Sequence, residues 1–228
     1  MRGGAILVVC GLRREASIAA GPDVVALAGG GNRHALEGRL ASLDPETISA
    51  VVSFGLAGAL DPGLRVGALV CPDLVVTRRS ERLAVNGPLS DAWRAKLGSD
   101  DLSSRCPVIA GVDAPVLLAG GKAQLAAETG AEAVDMESHI AGAYAARIGV
   151  PFGVLRVISD DAGRTLPPAA AIAMQPDGSI DLAGVALSLV RGPGQIPALL
   201  ATARDAAVAI RELRRVRGLL GPRFGLHL

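Results

Sequence analysis

Short runs of consecutive aliphatic and β-branched residues, each ending in a glycine or an acid and followed by an alanine- and leucine-rich stretch, limit the folds open to this chain most. The runs predict strands at residues 5–10, 24–28, 49–54, 68–77, 108–112, 133–136 and 152–158. The stretches between them predict helices near 32–43, 91–97, 122–129 and 138–148. The runs are largely apolar and do not alternate regularly with polar residues. A strand of that kind is buried on both faces, as in a largely parallel sheet covered by helices on either side. The expected fold class is α/β, a three-layer αβα arrangement around a central mixed, largely parallel sheet. Half of the 228 residues are apolar, enough for one domain over 1–228 to bury its own core. Residues 164–178, which hold three prolines, read as either an ordered lid or a mobile loop, and 179–228 as C-terminal helices near 181–190 and 198–217.

Composition removes several function classes. There are 23 basic and 22 acidic residues, so no bulk field draws the chain to nucleic acid. The basic residues are 21 Arg against 2 Lys, and Gly numbers 29, a skew typical of GC-rich coding that lowers the weight of any single Arg or Gly. Cys10, Cys71 and Cys106 are far apart with no CxxC, which favours neither a metal site nor a disulfide framework. The apolar opening ends in Arg13, Arg14 and Glu15 with no cleavage signal, and no uncharged stretch is long enough to span a bilayer. The expected location is cytoplasmic.

Ligands of open α/β sheets sit beyond the carboxyl ends of the strands. Those ends carry Gly11-Leu12-Arg13-Arg14-Glu15 after the first run, Gly29-Gly30-Gly31 after the second and Gly55-Leu56-Ala57-Gly58-Ala59 after the third. Asp135-Met136-Glu137-Ser138 closes the sixth and Ser159-Asp160-Asp161 the seventh. The three-glycine turn fits neither a dinucleotide fingerprint nor a phosphate-binding P-loop. Singly, each piece reads as a tight turn, a cap or a first-turn acid. Gathered on one edge, they make a binding site.

Val134-Asp135-Met136-Glu137, with Val150-Pro151-Phe152 and Arg156-Val157-Ile158-Ser159-Asp160, resembles the paired signature of the nucleoside phosphorylase and nucleosidase superfamily. The spacing from Glu137 to Asp160 is similar to that of its methylthioadenosine/adenosylhomocysteine nucleosidase branch, and the resemblance runs from residue 5 to about 163. The start of the chain and Arg164-Thr165-Leu166-Pro167-Pro168 look most like the hopanoid-associated phosphorylases, which act on adenosylhopane.

The resemblance implies a role for each matching residue. Asp160 would be the general acid that protonates the purine at N7, and a carboxyl group there suits adenine. Ser159 would orient it. Glu137 would hold the ribose 2′- and 3′-hydroxyls, with Met136 packed on the sugar, and backbone near Val112 would hold the base. Gly55 and Leu56 fall in the turn that lines the substrate, Leu56 where the hydrolytic branch has a water-holding Ser. Ala16 stands at the position of the branch's water-activating Glu, with Glu15 one residue earlier as the candidate base. Phosphorolysis would instead call on Arg13, Arg14, Gly30 and Gly31 to hold phosphate; a retained Glu15 tips the balance to hydrolysis. No metal or organic cofactor is implied, and inorganic phosphate is the one co-substrate left open. The implied substrate is a 5′-substituted adenosine, lipid-linked if the hopanoid likeness holds. Arg211, Arg214 and Arg215 share a helix face that such an enzyme could rest on the inner membrane surface. A homo-oligomer, in the first place a dimer, is expected. A nucleosidase for soluble substrates and a non-catalytic nucleoside-binding module are the alternatives.

Overall fold

The structure, a computed structural model, describes residues 4–98, 107–172, 175, 177–179 and 181–226. In chain order it runs β1 (Ala5–Cys10), α1 (Arg13–Ala19), β2 (Val24–Ala28), α2 (Arg33–Ala41), β3 (Ile48–Ala59), β4 (Leu69–Val70), β5 (Leu74–Val76), β6 (Arg82–Ala84) and α3 (Gly87–Leu97). It continues with β7 (Val108–Gly111), α4 (Ala119–Thr129), β8 (Ala133–Asp135), α5 (Ser138–Ile148), β9 (Phe152–Asp160), α6 (Pro168–Ile172), α7 (Leu182–Arg191) and α8 (Ile196–Leu220).

The strands form one mixed sheet in the order β2-β1-β3-β8-β7-β5-β6, with β9 also on β3 and β4 on β9. The pairs β1–β2, β1–β3, β3–β9, β5–β7 and β7–β8 are parallel; β3–β8, β4–β9 and β5–β6 are antiparallel. Burial on both faces is visible residue by residue in β1. Leu7 and Val9 enter one core with Leu36 and Leu40 of α2 and Ile140 and Tyr144 of α5. Ile6, Val8 and Cys10 enter the other with Trp93 of α3 and Leu213, Val216 and Leu220 of α8. Strand side chains alternate between faces, so a helix layer on each side explains why the run has no polar positions. Trp93 Nε1 donates to the Phe224 carbonyl at 2.8 Å, which ties α3 to the chain beyond α8.

Two sequence expectations need correction. The strand expected over 68–77 is broken into β4 and β5, because Pro72 between them has no N–H to give to a ladder. β4 pairs with β9 and β5 with β7, so the break lets the chain change neighbours. The third strand continues to Ala59, five residues beyond the expected end. That extension matters for the site: Gly58 pairs with Val134 of β8 on one side and Asp160 of β9 on the other. The two acidic strand ends are thus brought to the same stretch of β3.

Cys10 and Cys71 are buried free thiols, while Cys106, Met174 and His227 lie outside the described residues. Among the described residues no helix is long and apolar enough to cross a membrane, and no cluster of His, Cys, Asp and Glu could hold a metal ion.

Candidate active site

The site is built on a buried guanidinium. Arg156, in the middle of β9 and 1 % exposed, places Nε 2.8 Å from Asp135 Oδ2 and Nη1 3.4 Å from Glu137 Oε2. Nη1 also donates to the Leu56 carbonyl at 3.2 Å, and Nη2 to Ser53 Oγ at 2.5 Å. Asp135 is fixed further by the Ser138 N–H at 3.2 Å and by the Ser138 hydroxyl, which lies 2.9 Å from Ser53 Oγ.

Glu15 closes the other side. Its Oε2 accepts the N–H groups of Gly11 and Leu12 at 2.8 and 2.9 Å, and its Oε1 accepts that of Leu56 at 3.0 Å. Three of the roughly four lone-pair sites of a carboxylate are then occupied. Burial raises the Glu15 acid above its ordinary value, against the pull of Arg156 and the three N–H groups. Glu137 is pushed up to about 7, first by burial, then by the charges of Asp135 and Glu15, with Arg156 opposing. Glycines make room for these acids. A Cβ on Gly11 would lie 3.2 Å from Glu137 Oε1, and one on Gly55 only 2.6 Å from Glu15 Oε2 and 2.9 Å from Arg156 Nη1. Gly55→Ala is therefore expected to displace Glu15 from its three donors, costing about 1–3 kcal/mol and a melting temperature lower by several degrees. Thermal melts of the variant check this; an unchanged melt would show that Glu15 is not wedged there.

Asp160 ends β9 against Gly58, whose Cβ would come within 3.1 Å of its Oδ2. Oδ1 accepts the Ser159 hydroxyl at 2.8 Å, and Oδ2 contacts Lys122 Nζ. Met136 is half-buried between these groups in sequence and packs on the cluster containing Val112 and Val134.

Several expected contacts are arranged differently. The Val112 N–H donates to the Asp135 carbonyl at 2.9 Å as part of the sheet, so it is not free to hold a base. Leu56, which stands where the hydrolytic branch has its Ser, supplies its amide to Glu15, and Ala16 packs toward the α8 core while Glu15 turns inward. Of the candidate phosphate residues, the two arginines point away from the carboxylates, while the glycine turn lies beside Glu137, a Cβ on Gly29 falling 3.4 Å from its Cγ. Arg13 is exposed and pairs with Asp177 at 2.6 Å, Arg14 lines a separate groove with Arg214 and Arg217, and Gly30 donates its N–H to Gly11 at 2.8 Å. Gly30 and Gly31 turn with positive φ, which keeps the chain tight against β1.

Beside Val112 lies a cleft of about 600 Å³ lined by Val112, Asp113, Pro115, Leu117 and His139, with Arg33 at its rim. His139 Nε2 is 2.9 Å from Asp113 Oδ1, and that contact is the main cause holding the Asp113 acid below its ordinary value. The sequence placed Asp135 and Arg156 in its motifs without a role of their own and assigned none to His139 or Lys122. Arg156 had a signal, as the one basic residue inside the expected strand runs; Lys122 had another, as one of two lysines among 21 arginines.

By sequence, no curated protein matches the chain. Solved structures do. The Helicobacter pylori MTAN, in a mutant with 5′-methylthioadenosine in its active site, is 17 % identical with a TM-score of 0.62, covering 94 % of this chain and 98 % of that one. The S-adenosylhomocysteine nucleosidase of Streptococcus pyogenes in complex with 5-methylthiotubericidin is 16 % identical with a TM-score of 0.62, covering 94 % and 98 %. Native futalosine hydrolase of H. pylori is 16 % identical with a TM-score of 0.62, covering 93 % and 97 %. At these identities the likeness shows a shared fold. The sequence profile of the phosphorylase superfamily matches residues 29–191, most of the sheet and both acidic strand ends, and the chain belongs to that superfamily.

Proposed function

We propose that this protein cleaves the N-glycosidic bond of a 5′-substituted adenosine by hydrolysis and releases adenine. N-glycosyl bond cleavage is the chemistry of the nucleosidases that share its fold. The observation that carries the proposal is the set of three buried carboxylates, Glu15, Glu137 and Asp160, facing the ends of β3, β8 and β9 with one guanidinium among them. Asp160 passes a proton to N7 as the C1′–N9 bond pair moves into the purine. Glu137 accepts the ribose hydroxyls, and its charge offsets the cation developing at C1′. Glu15, its remaining lone pair directed by three N–H groups, takes the proton of the attacking water; its raised affinity for protons suits a base working near neutrality.

The charge count supports water over phosphate. Glu15, Glu137 and Asp135 outnumber Arg156, and phosphate would bring more negative charge to a place where Arg13 and Arg14 do not reach. The finer assignment, adenosylhopane, rests on the likeness of Arg164–Pro168 to the hopanoid-associated phosphorylases. The cleft beside Val112 is mixed in character, with Pro115, Val116 and Leu117 on its walls together with Arg33, Arg78, Arg79, Glu81 and Asp113, and Leu117 is tied to Leu166 by a 2.8 Å backbone bond. The same likeness makes a homodimer part of the proposal.

The test incubates purified protein with adenosylhopane or 5′-methylthioadenosine in the presence of phosphate and weighs the sugar product. A free ribosyl product with adenine is expected, at higher kcat/KM for adenosylhopane; a phosphoribosyl product would overturn hydrolysis. Glu15→Gln is expected to slow adenine release by about 10²–10⁴-fold. Release at the parent's rate by that variant would remove Glu15 as the base.

A further inference from the structure

Lys122 on α4 is an ammonium with 1 % side-chain exposure, in a chain that uses arginine almost everywhere else. Nζ contacts Asp160 Oδ2 and donates to the Asp161 carbonyl at 2.7 Å, while the Ser159 hydroxyl donates to Asp160 Oδ1. An ion pair carries its transferable proton on nitrogen. The carboxylate that faces the base thus has acceptor oxygens, suited to a 6-amino group, but no proton of its own to give to N7. An arginine would form the same pair with a fork geometry better matched to carboxylate, yet its guanidinium does not release a proton. A buried lysine can.

We propose that Lys122 is the source of the proton that adenine receives, acting through Asp160. This deepens the nucleosidase proposal and rests on it. As the C1′–N9 bond breaks, its electron pair enters the purine; a proton passes from Nζ to the Asp160 carboxylate and from that carboxylate to N7. The step leaves neutral adenine, a carboxylate and a neutral amine. The oxygen of water bonds to C1′, its proton goes to Glu15, and Glu15 returns a proton to the amine through solvent, so the cycle closes with no net proton taken up. Lys122 does not touch the substrate in this scheme; it recharges the group that does.

The test separates proton supply from mere support by changing the leaving group. A 4-nitrophenyl 5-methylthioriboside departs as a stable phenolate and needs no proton at N7. Lys122→Gln and Lys122→Met are expected to lower adenine release from 5′-methylthioadenosine by about 100-fold or more, while nitrophenol release stays within about threefold of the parent's. Lys122→Arg is expected to behave as they do, keeping the charge but giving no proton. Equal loss of both products, or unchanged adenine release, would overturn the proposal, as would recovery of adenine release by the arginine variant. A parent protein that releases adenine from neither 5′-methylthioadenosine nor adenosylhopane would instead defeat the nucleosidase proposal itself, so the two failures are distinct.

Discussion

Asp160→Asn is expected to lower adenine release by about 10²–10⁴-fold, the usual worth of a positioned acid, while a non-cleavable 5′-substituted adenosine analogue binds within about tenfold of the parent's affinity. The amide keeps the size of the carboxyl group and can still contact the base, but it neither relays nor donates an acidic proton. The substitution has a second consequence, because it removes the counter-ion of a buried ammonium. Breaking one partner of a buried pair costs about 3–5 kcal/mol, which in a chain of this size lowers the melting temperature by about 10 °C. Lys122→Gln added to Asp160→Asn replaces the pair with two hydrogen-bonded amides. The double variant should regain most of the lost melting temperature and none of the turnover. Loss of turnover and loss of stability are thus separable at one residue. Turnover at the parent's rate in Asp160→Asn would end the role of Asp160 as acid. A parent without turnover on any 5′-substituted adenosine would favour a nucleoside-binding module, which has no need of this carboxyl group.

The centre of the sheet was legible because its strands are buried on both faces, and double burial leaves a mark that survives in a single sequence: β1 and β9 appear as largely apolar runs, whereas the exposed edge strand β6 left none. α5 was legible for the same reason at helical spacing, from Ser138 to a left-handed stop at Gly149. α1 was not, since its seven residues are held by Glu15 folding back on Gly11 and Leu12, a contact with no periodicity. The split of β4 from β5 depended on each finding a different partner, which only the tertiary arrangement decides. In the site, residues defined by a local motif, such as Glu137, Ser159 and Asp160, could be named in advance. Those defined by a distant partner could not. Lys122 lies 38 positions from Asp160, and Arg156 reaches Ser53, 103 positions away. Arg13 and Arg14 stood next to the right loop in sequence, but the turn into α1 sends Glu15 inward and leaves both guanidinium groups outside.

Glu137→Gln is expected to move activity and stability in opposite directions. The acid of Glu137 stands at about 7 in the folded chain against 4.5 for an unhindered glutamate, because burial and the charges of Asp135 and Glu15 outweigh Arg156. A raised value means that the folded chain binds a proton more tightly than the unfolded one. The stability this contributes is complete below about pH 4.5 and is lost as pH rises through about 7, a change of about 3 kcal/mol. The parent should therefore melt lower at pH 8 than at pH 5.5, with Glu15, raised in the same sense, adding to the decline. The amide of the variant is neutral at every pH, so its melting curve should fall less over that interval and lie above the parent's at pH 8. Its adenine release should fall by about 100-fold or more, since an amide cannot offset the positive charge that grows at C1′. In the parent, release should climb between pH 6 and 8 as Glu137 becomes the carboxylate that the ribose hydroxyls require. Melting temperatures and initial rates of the two proteins across pH 5.5–8 measure both effects. Parallel melting curves would show that Glu137 carries no proton at neutral pH. The same buried charge that weakens the folded chain is then what steadies the cation as it develops at C1′, a trade of stability for function placed in a single carboxyl group.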